Sequence, residues 1–104
     1  MNTRWMLVSF ITAIASTQAL AANPEAGKAM VESVCAGCHG IKGISAGGAF
    51  PNLAGQQEAY LRAALTAYRD GTRKAPIMNN MAASLKDEQI ADLAAYLSSL
   101  KHCE

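Results

Sequence analysis

An all-α domain is what this sequence predicts, and three observations lead there. Three separate stretches carry apolar residues at helical spacing. Stretches rich in glycine and proline lie between them. No stretch alternates apolar and polar residues in the manner of a strand, and no internal repeat is present. The chain has 104 residues, 51% hydrophobic and 16% charged, which allows one small domain. Nine basic residues against eight acidic ones leave +1, too balanced for a nucleic-acid binder or a polybasic membrane module. Aromatics are few (one Trp, three Tyr, two Phe), so something besides ring packing is a candidate to fill the interior.

Residues 1–21 read as a secretory signal peptide. Arg4 and the amino terminus form the basic start, Trp5 to Ala15 the apolar stretch, and Ala19-Leu20-Ala21 the small-residue cleavage pattern. The apolar stretch is shorter than the about 20 residues that cross a bilayer. Cleavage before Ala22 leaves 22–104 as a single mature domain of 83 residues. Arg4 leaves with the signal, so the mature chain carries eight basic and eight acidic residues. A domain this small needs a staple. Export permits disulfides, but three cysteines are an odd number and two stand close together, so a metal or organic cofactor is the better candidate.

In the mature chain, Asn23-Pro24 gives a helix start, with Asn as cap and Pro at the first position. This helix carries Met30, Val31 and Val34 on one face and runs into Cys35. From Gly40 to Gly55, five further glycine or proline positions predict a loop: Gly43, Gly47, Gly48, Pro51 and the closing Gly55. A middle helix over Gln57 to Asp70 shows a stripe of Tyr60, Leu61, Ala64, Leu65 and Tyr68, and Gly71 stops it. Thr72 to Ser84, with Pro76, Met78 and Met81, reads as a second loop. The last helix covers Lys86 to Leu100 and turns Ile90, Leu93, Ala94, Leu97 and Leu100 inward. Asp87 and Glu88 suit its first turn.

Cys35-Ala36-Gly37-Cys38-His39 sets the chemistry. It is C-x-x-C-H, the attachment signature of c-type haem. Two thiols on one helical turn reach the vinyl groups along one porphyrin edge, and the adjacent imidazole projects beneath the ring toward the iron. Two other chemistries use the same residue types. A redox dithiol belongs in a strand-then-helix context, and none is visible here. A zinc site would recruit His102 and Cys103 as third and fourth ligands. Either leaves the rest of the pattern unexplained.

Residues 22–104 resemble a class I cytochrome c, most closely the small bacterial cytochrome c553 and single cytochrome c4-like domains. The resemblance implies three main helices and loops wrapped around one covalently bound haem c, with Cys35 and Cys38 as attachment residues and His39 as an axial ligand. Gly27 stands where the family has a small residue at the crossing of the terminal helices, and Tyr96 where it has an aromatic. Phe50-Pro51-Asn52-Leu53-Ala54-Gly55 is similar to the family's Pro-Asn-Leu-x-Gly stretch. In the family, that proline's carbonyl accepts a hydrogen bond from the haem histidine, which orients the imidazole and tunes the iron. Pro51 and Leu53 are thus expected at the haem pocket. The chain departs from the family at Lys86, where many members have a serine cap, so the cap either shifts to Ser84 or is weaker. It also lacks a Trp in the mature part, which leaves Tyr60, Tyr68 or an arginine to meet a haem propionate.

The sixth ligand separates a carrier from a catalyst. A thioether there closes the iron and raises its potential. Met78 and Met81 are the candidates in the appropriate loop, since Met30 precedes the haem motif, and methionine is also a ready gap-filler. The family's Met-x-x-Met pattern favours Met78, with Met81 as alternate. The expected role is that of a non-enzymatic periplasmic carrier of single electrons between redox proteins of a respiratory chain. The alternative is a haem c subunit of a larger oxidoreductase. Leu53, Leu61, Leu65, Ile90, Leu93 and Leu97 are the expected pocket and core. Ile41, Ile44, Ala46, Ala49, Ala75 and Ile77, ringed by Lys42, Arg73 and Lys74, form a candidate docking patch of the small kind redox encounters use. Arg62, Arg69 and Arg73 read as a mildly basic side, and Asp87, Glu88 and Asp92 as an acidic one. Nucleic acid and a membrane span of the mature form are not expected. Cys103 leaves open a monomer or a disulfide-linked dimer.

Overall fold

The computed structural model describes residues 21–101. The signal peptide, apart from Ala21, and Cys103 with its two neighbours lie outside the described residues.

Asn23 opens α1 (Pro24–Met30). Its side-chain oxygen accepts from the backbone N–H of Glu25 at 3.1 Å and of Ala26 at 3.4 Å, which satisfies donors that no helical carbonyl can reach. The chain then stays helical but widens over Val31–Cys35 into a π turn, with the Ala36 N–H bonding the Val31 carbonyl five residues back. A last short turn, α2 (Ala36–His39), completes the segment. The wide turn corrects the expected stripe. Met30 and Val31 face inward, but Val34 is 49% exposed, and Cys35 packs on the core in its stead. A wider turn holds more residues per revolution, so the residue lying over Val31 falls one position later.

Gln57 caps α3 (Glu58–Asp70) from an extended backbone, and Gly71 ends it in the left-handed region at φ +80°. The stretch from Thr72 to Ser84 is not wholly loop as expected. It contains a two-turn helix, α4 (Pro76–Ala82), with Pro76 at its first position. Both methionines lie on it. Seven residues are too few for a self-sustaining helix, so its stability comes from contacts elsewhere in the fold. The last helix, α5 (Asp87–Ser99), has Lys86 as its N-cap. Ser84 is not the cap. The Gln89 side chain instead reaches back to accept from the Lys86 N–H at 2.9 Å, one half of a capping box that lysine, having no acceptor, cannot complete. Among the described residues there is no strand, and no helix is long and apolar enough to cross a membrane.

Val31, Leu61, Leu93, Ala94 and Leu97 form the buried core, each 3% exposed or less, with Leu53, Leu65, Met30 and Tyr96 packed against it. The expected pocket and core leucines, with Ile90, are therefore all buried or half-buried. Each full burial of a leucine contributes about 1.5–3 kcal/mol. The frame is set where α1 crosses α5. A methyl on Gly27 would overlap the Asp92 carbonyl oxygen, and would stand 2.6 Å from its carbonyl carbon and 3.0 Å from the Tyr96 Cβ. The two helices therefore touch backbone to backbone, as the resemblance implied for Gly27 and Tyr96. The Asp92 carboxylate closes the same junction by accepting from the Asn23 N–H at 2.7 Å.

The expected split into a basic and an acidic side does not survive folding. Arg69 donates to the Asp87 carboxylate at 2.6 Å and to the Leu85 carbonyl at 3.3 Å, joining the end of α3 to the start of α5. Arg62 pairs with Glu58 one turn earlier on its own helix. Two of the three arginines are thus matched by carboxylates.

Gly27→Ala should lower stability by about 2 kcal/mol or more, the range of overpacking a tight contact. Gly37→Ala, where an added methyl meets nothing within 4 Å, should be neutral or stabilising by roughly 0.5–1 kcal/mol through helix propensity. Chemical denaturation of both haem-loaded variants reads the opposite signs.

Candidate haem site

His39 is the one buried charged or polar side chain among the described residues, 6% exposed. Its position follows from the helix that ends with it. Gly40 turns the chain out of α2 at φ +83°, ψ 149°, a conformation side chains do not tolerate, and its N–H still bonds the Ala36 carbonyl at 3.0 Å. The loop beyond then folds back on itself. The Gly43 carbonyl accepts from the N–H groups of Leu53 at 2.7 Å and Ala54 at 3.0 Å, and the Asn52 side chain accepts from the Ser45 N–H at 2.7 Å. The Gly55 N–H, bonded to the Leu97 carbonyl at 3.0 Å, fastens the end of this loop to α5.

This folding brings the Pro51 carbonyl to 2.8 Å from His39 Nδ1. A carbonyl only accepts, so Nδ1 carries the proton, and the lone pair of the neutral ring resides on Nε2. The imidazole is held in the tautomer and orientation that a metal ligand needs. Phe50 adds an edge-on contact, its ring centroid 6.2 Å from that of His39 at an interplanar angle of 69°. Phe50 was read only as part of a motif. Its contact with the histidine becomes visible once the loop is folded.

Cys35 and Cys38 flank the same turn. Cys35 is half-buried and Cys38 exposed. Burial pushes the Cys35 thiol above the ordinary value, so it is a neutral thiol at physiological pH. Leu53 is half-buried against the core, and Pro51 is exposed although its carbonyl points to His39. Met78 is half-buried and Met81 is 42% exposed, both on α4, which packs on α3. Tyr60, Tyr68 and Arg73 form one cluster. The Arg73 guanidinium lies 4.8 Å above the Tyr68 ring and donates to the Tyr60 hydroxyl at 3.3 Å. The described residues contain no group of three or more His, Cys, Asp or Glu placed to hold a metal. His102 and Cys103, which a zinc site would need, lie outside them. Two thiols on one turn, an imidazole whose Nδ1 is taken up by the Pro51 carbonyl, and thioethers on a separate helix are the residue types that could hold a covalently attached haem.

Residues 24–101 match the sequence model of the family described as Cytochrome c. The chain belongs to the cytochrome c family. It is 50% identical over 68 residues to cytochrome c-554(548) of Halomonas halodenitrificans, covering 62% of this chain and 82% of that one. It is 38% identical over 97 residues to cytochrome c4 of Pseudomonas aeruginosa, covering 92% of this chain but 48% of that one. The solved structure of Acidithiobacillus ferrooxidans cytochrome c4 superposes with a TM-score of 0.73 at 38% identity, over 82% of this chain and 54% of that chain. The cytochrome thus spans about half the length of the c4 relatives it matches. Its fold is that of class I cytochrome c, its cofactor is covalently attached haem c, and it is an electron carrier and not an enzyme.

Asn79 and the helix that bears it are what sequence reading missed at this site. No local signal marks Asn79, because its partners lie on α3 and in the loop before α4.

Gly40→Ala should cost about 3 kcal/mol, since an added methyl would overlap the Ile44 carbonyl oxygen at a backbone angle reserved for glycine. The unfolding midpoint of the haem-loaded protein checks it.

Proposed function

We propose that residues 22–104 form a monohaem periplasmic carrier that passes single electrons between redox proteins of a respiratory chain. Cys35 and Cys38 would hold the haem by thioether bonds, and His39 Nε2 and the Met78 thioether would ligate its iron. Bound haem supplies a one-electron couple at its iron. The protein's own part is positional. Pro51 holds the His39 proton on Nδ1 and keeps Nε2 directed at the metal. Met78 would supply the second iron ligand and so shut out exogenous ligands. Leu53 and the α5 leucines exclude water. Fixed ligands in an apolar setting keep the geometry alike in both oxidation states, which lowers the rearrangement opposing transfer. The observation that carries this reading is the 2.8 Å bond from His39 Nδ1 to the Pro51 carbonyl.

Three thioethers occur among the described residues. Met30 lies on α1 against the core, which leaves the pair on α4. The family's Met-x-x-Met pattern supports the first of that pair. Export rests on residues 1–21, whose basic start, apolar stretch and Ala19-Leu20-Ala21 supply the signal. Ile41 and Ile77, 61% and 63% exposed beside Lys42 and Lys74, support a small apolar docking patch for the partner proteins. The reading as a subunit of a larger oxidoreductase draws on the likeness to thiosulfate dehydrogenase (TsdBA) of Marichromatium purpuratum, with a TM-score of 0.70 at 31% identity over 75% of this chain and 19% of that one. Co-purification with a second polypeptide at fixed stoichiometry would select it.

Optical spectra of the exported protein, oxidised and reduced, test the main reading. A covalently bound haem with a far-red sulfur-to-iron band in the ferric form is expected, and ready binding of carbon monoxide to the ferrous form would overturn it. Met78→Ala should abolish that band and leave the haem attached, whereas Met81→Ala should preserve it. With a mature net charge of zero, the electron-transfer rate should vary little with ionic strength, and a steep dependence measured by stopped flow would contradict this.

A further inference from the structure

The Asn79 side chain makes three hydrogen bonds, none of them within a single helix. Its Oδ1 accepts from the Ala75 N–H at 2.9 Å, and its Nδ2 donates to the Tyr68 carbonyl at 2.8 Å and the Arg73 carbonyl at 2.8 Å. Both amide hydrogens and one oxygen lone pair are used, so the orientation of the amide is settled. Turned over, its oxygen would face two carbonyls and its NH₂ a backbone N–H. The partners belong to three pieces of chain. Tyr68 lies in the last turn of α3, whose carbonyls lack helical donors. Arg73 is in the connecting loop. Ala75 is the N-cap of α4 and has no side-chain cap of its own. One side chain therefore does the work of a C-cap for α3 and an N-terminal tie for α4.

We propose that Asn79 is a positioning residue for the sixth ligand: by tying α4 to the end of α3, it sets where the Met78 thioether stands and how firmly it holds the iron. The inference rests on Met78 being that ligand. The physical argument runs through length. A helix of seven residues has no rigidity of its own, and Met78 is carried on the turn that Asn79 anchors. If the tie is lost, α4 is free to shift, and the thioether shifts with it. The rest of the connection survives such a loss. The Ala67 carbonyl still accepts from the Arg73 N–H at 3.1 Å and the Thr72 hydroxyl at 3.3 Å, so α3 keeps its end. Asn80, next in the chain and exposed, supplies the matched control.

The test uses the haem-loaded protein, with imidazole as an outside ligand for the ferric iron and the far-red band as the report on the thioether. Asn79→Ala should raise imidazole affinity about tenfold or more, the scale of losing one or two hydrogen bonds. The far-red band should fade at a lower temperature, with haem attachment and helix content unchanged. Asn80→Ala should behave as the parent. Asn79→Asp keeps the acceptor but sets a carboxylate against two carbonyls. Its band should likewise fade at a lower temperature than the parent's. Parent-like imidazole affinity in Asn79→Ala overturns the proposal, even where the global unfolding midpoint falls, because that pattern marks a merely structural tie. Met78→Ala measured alongside keeps the two readings apart. A band that survives Met78→Ala sinks the ligand assignment, whereas a Met78-dependent band that is indifferent to Asn79→Ala sinks the positioning role alone.

Discussion

Between α1 and α5 there is room for a hydrogen atom at position 27 and for no more. A methyl at that place would overlap the Asp92 backbone carbonyl, so the two terminal helices pack at backbone distance and their apolar stripes meet. Val31 from the first and Leu93, Ala94 and Leu97 from the second form most of the buried core, with Leu61 closing it from α3. The site is suspended from this crossing on both sides. Val31 begins the wide turn that leads to Cys35, and the Leu97 carbonyl holds Gly55, hence the loop that presents Pro51 to His39. An interaction far from any ligand atom thereby fixes the direction of the imidazole.

The regular parts of this architecture were legible in the sequence because their causes are local or periodic. The leucine stripe of α5, the Asn23-Pro24 start and the Gly71 stop each follow from short-range rules of capping and spacing, and all three appear in the structure. C-x-x-C-H is legible for a different reason: cysteine and histidine are scarce, and their spacing is dictated by the cofactor. The bond from His39 to Pro51 was accessible only through resemblance, since nothing local joins residues twelve apart across a glycine-rich loop. What could not be read depends on contacts that only the assembled fold supplies. The helix α4 is too short to announce itself against a background of Pro and Asn. The displacement of Val34 by Cys35 needs a π turn that periodicity at 3.6 residues does not describe. Arg69 looked like part of a basic side until the packing of α3 beside α5 placed Asp87 within 2.6 Å of it.

The two irregular segments have something in common. The wide turn at Val31–Cys35 carries the first cysteine of the attachment motif, and the two-turn helix at Pro76–Ala82 carries Met78 and Met81, between which the proposed iron ligand is chosen. Neither has the hydrogen-bonding economy of a long α-helix. Each borrows from elsewhere: Cys35 leans on the core, and α4 is tied through Asn79 to α3. Regular helices form the frame, and departures from regularity aim the side chains, as is common where backbone geometry serves a ligand.

The Asn23 amide and the Asp92 carboxylate that receives it are 69 residues apart, so the frame is closed by partners from opposite ends of the domain. Such long-range closure is slow relative to the formation of single helices. A chain emerging amino end first exposes its paired thiols well before α5 arrives to lock α1 in place. Until α5 arrives, neither the crossing at Gly27 nor the Leu97 carbonyl that fastens the Pro51 loop is in place, so the orientation of His39 is among the last features of the domain to form.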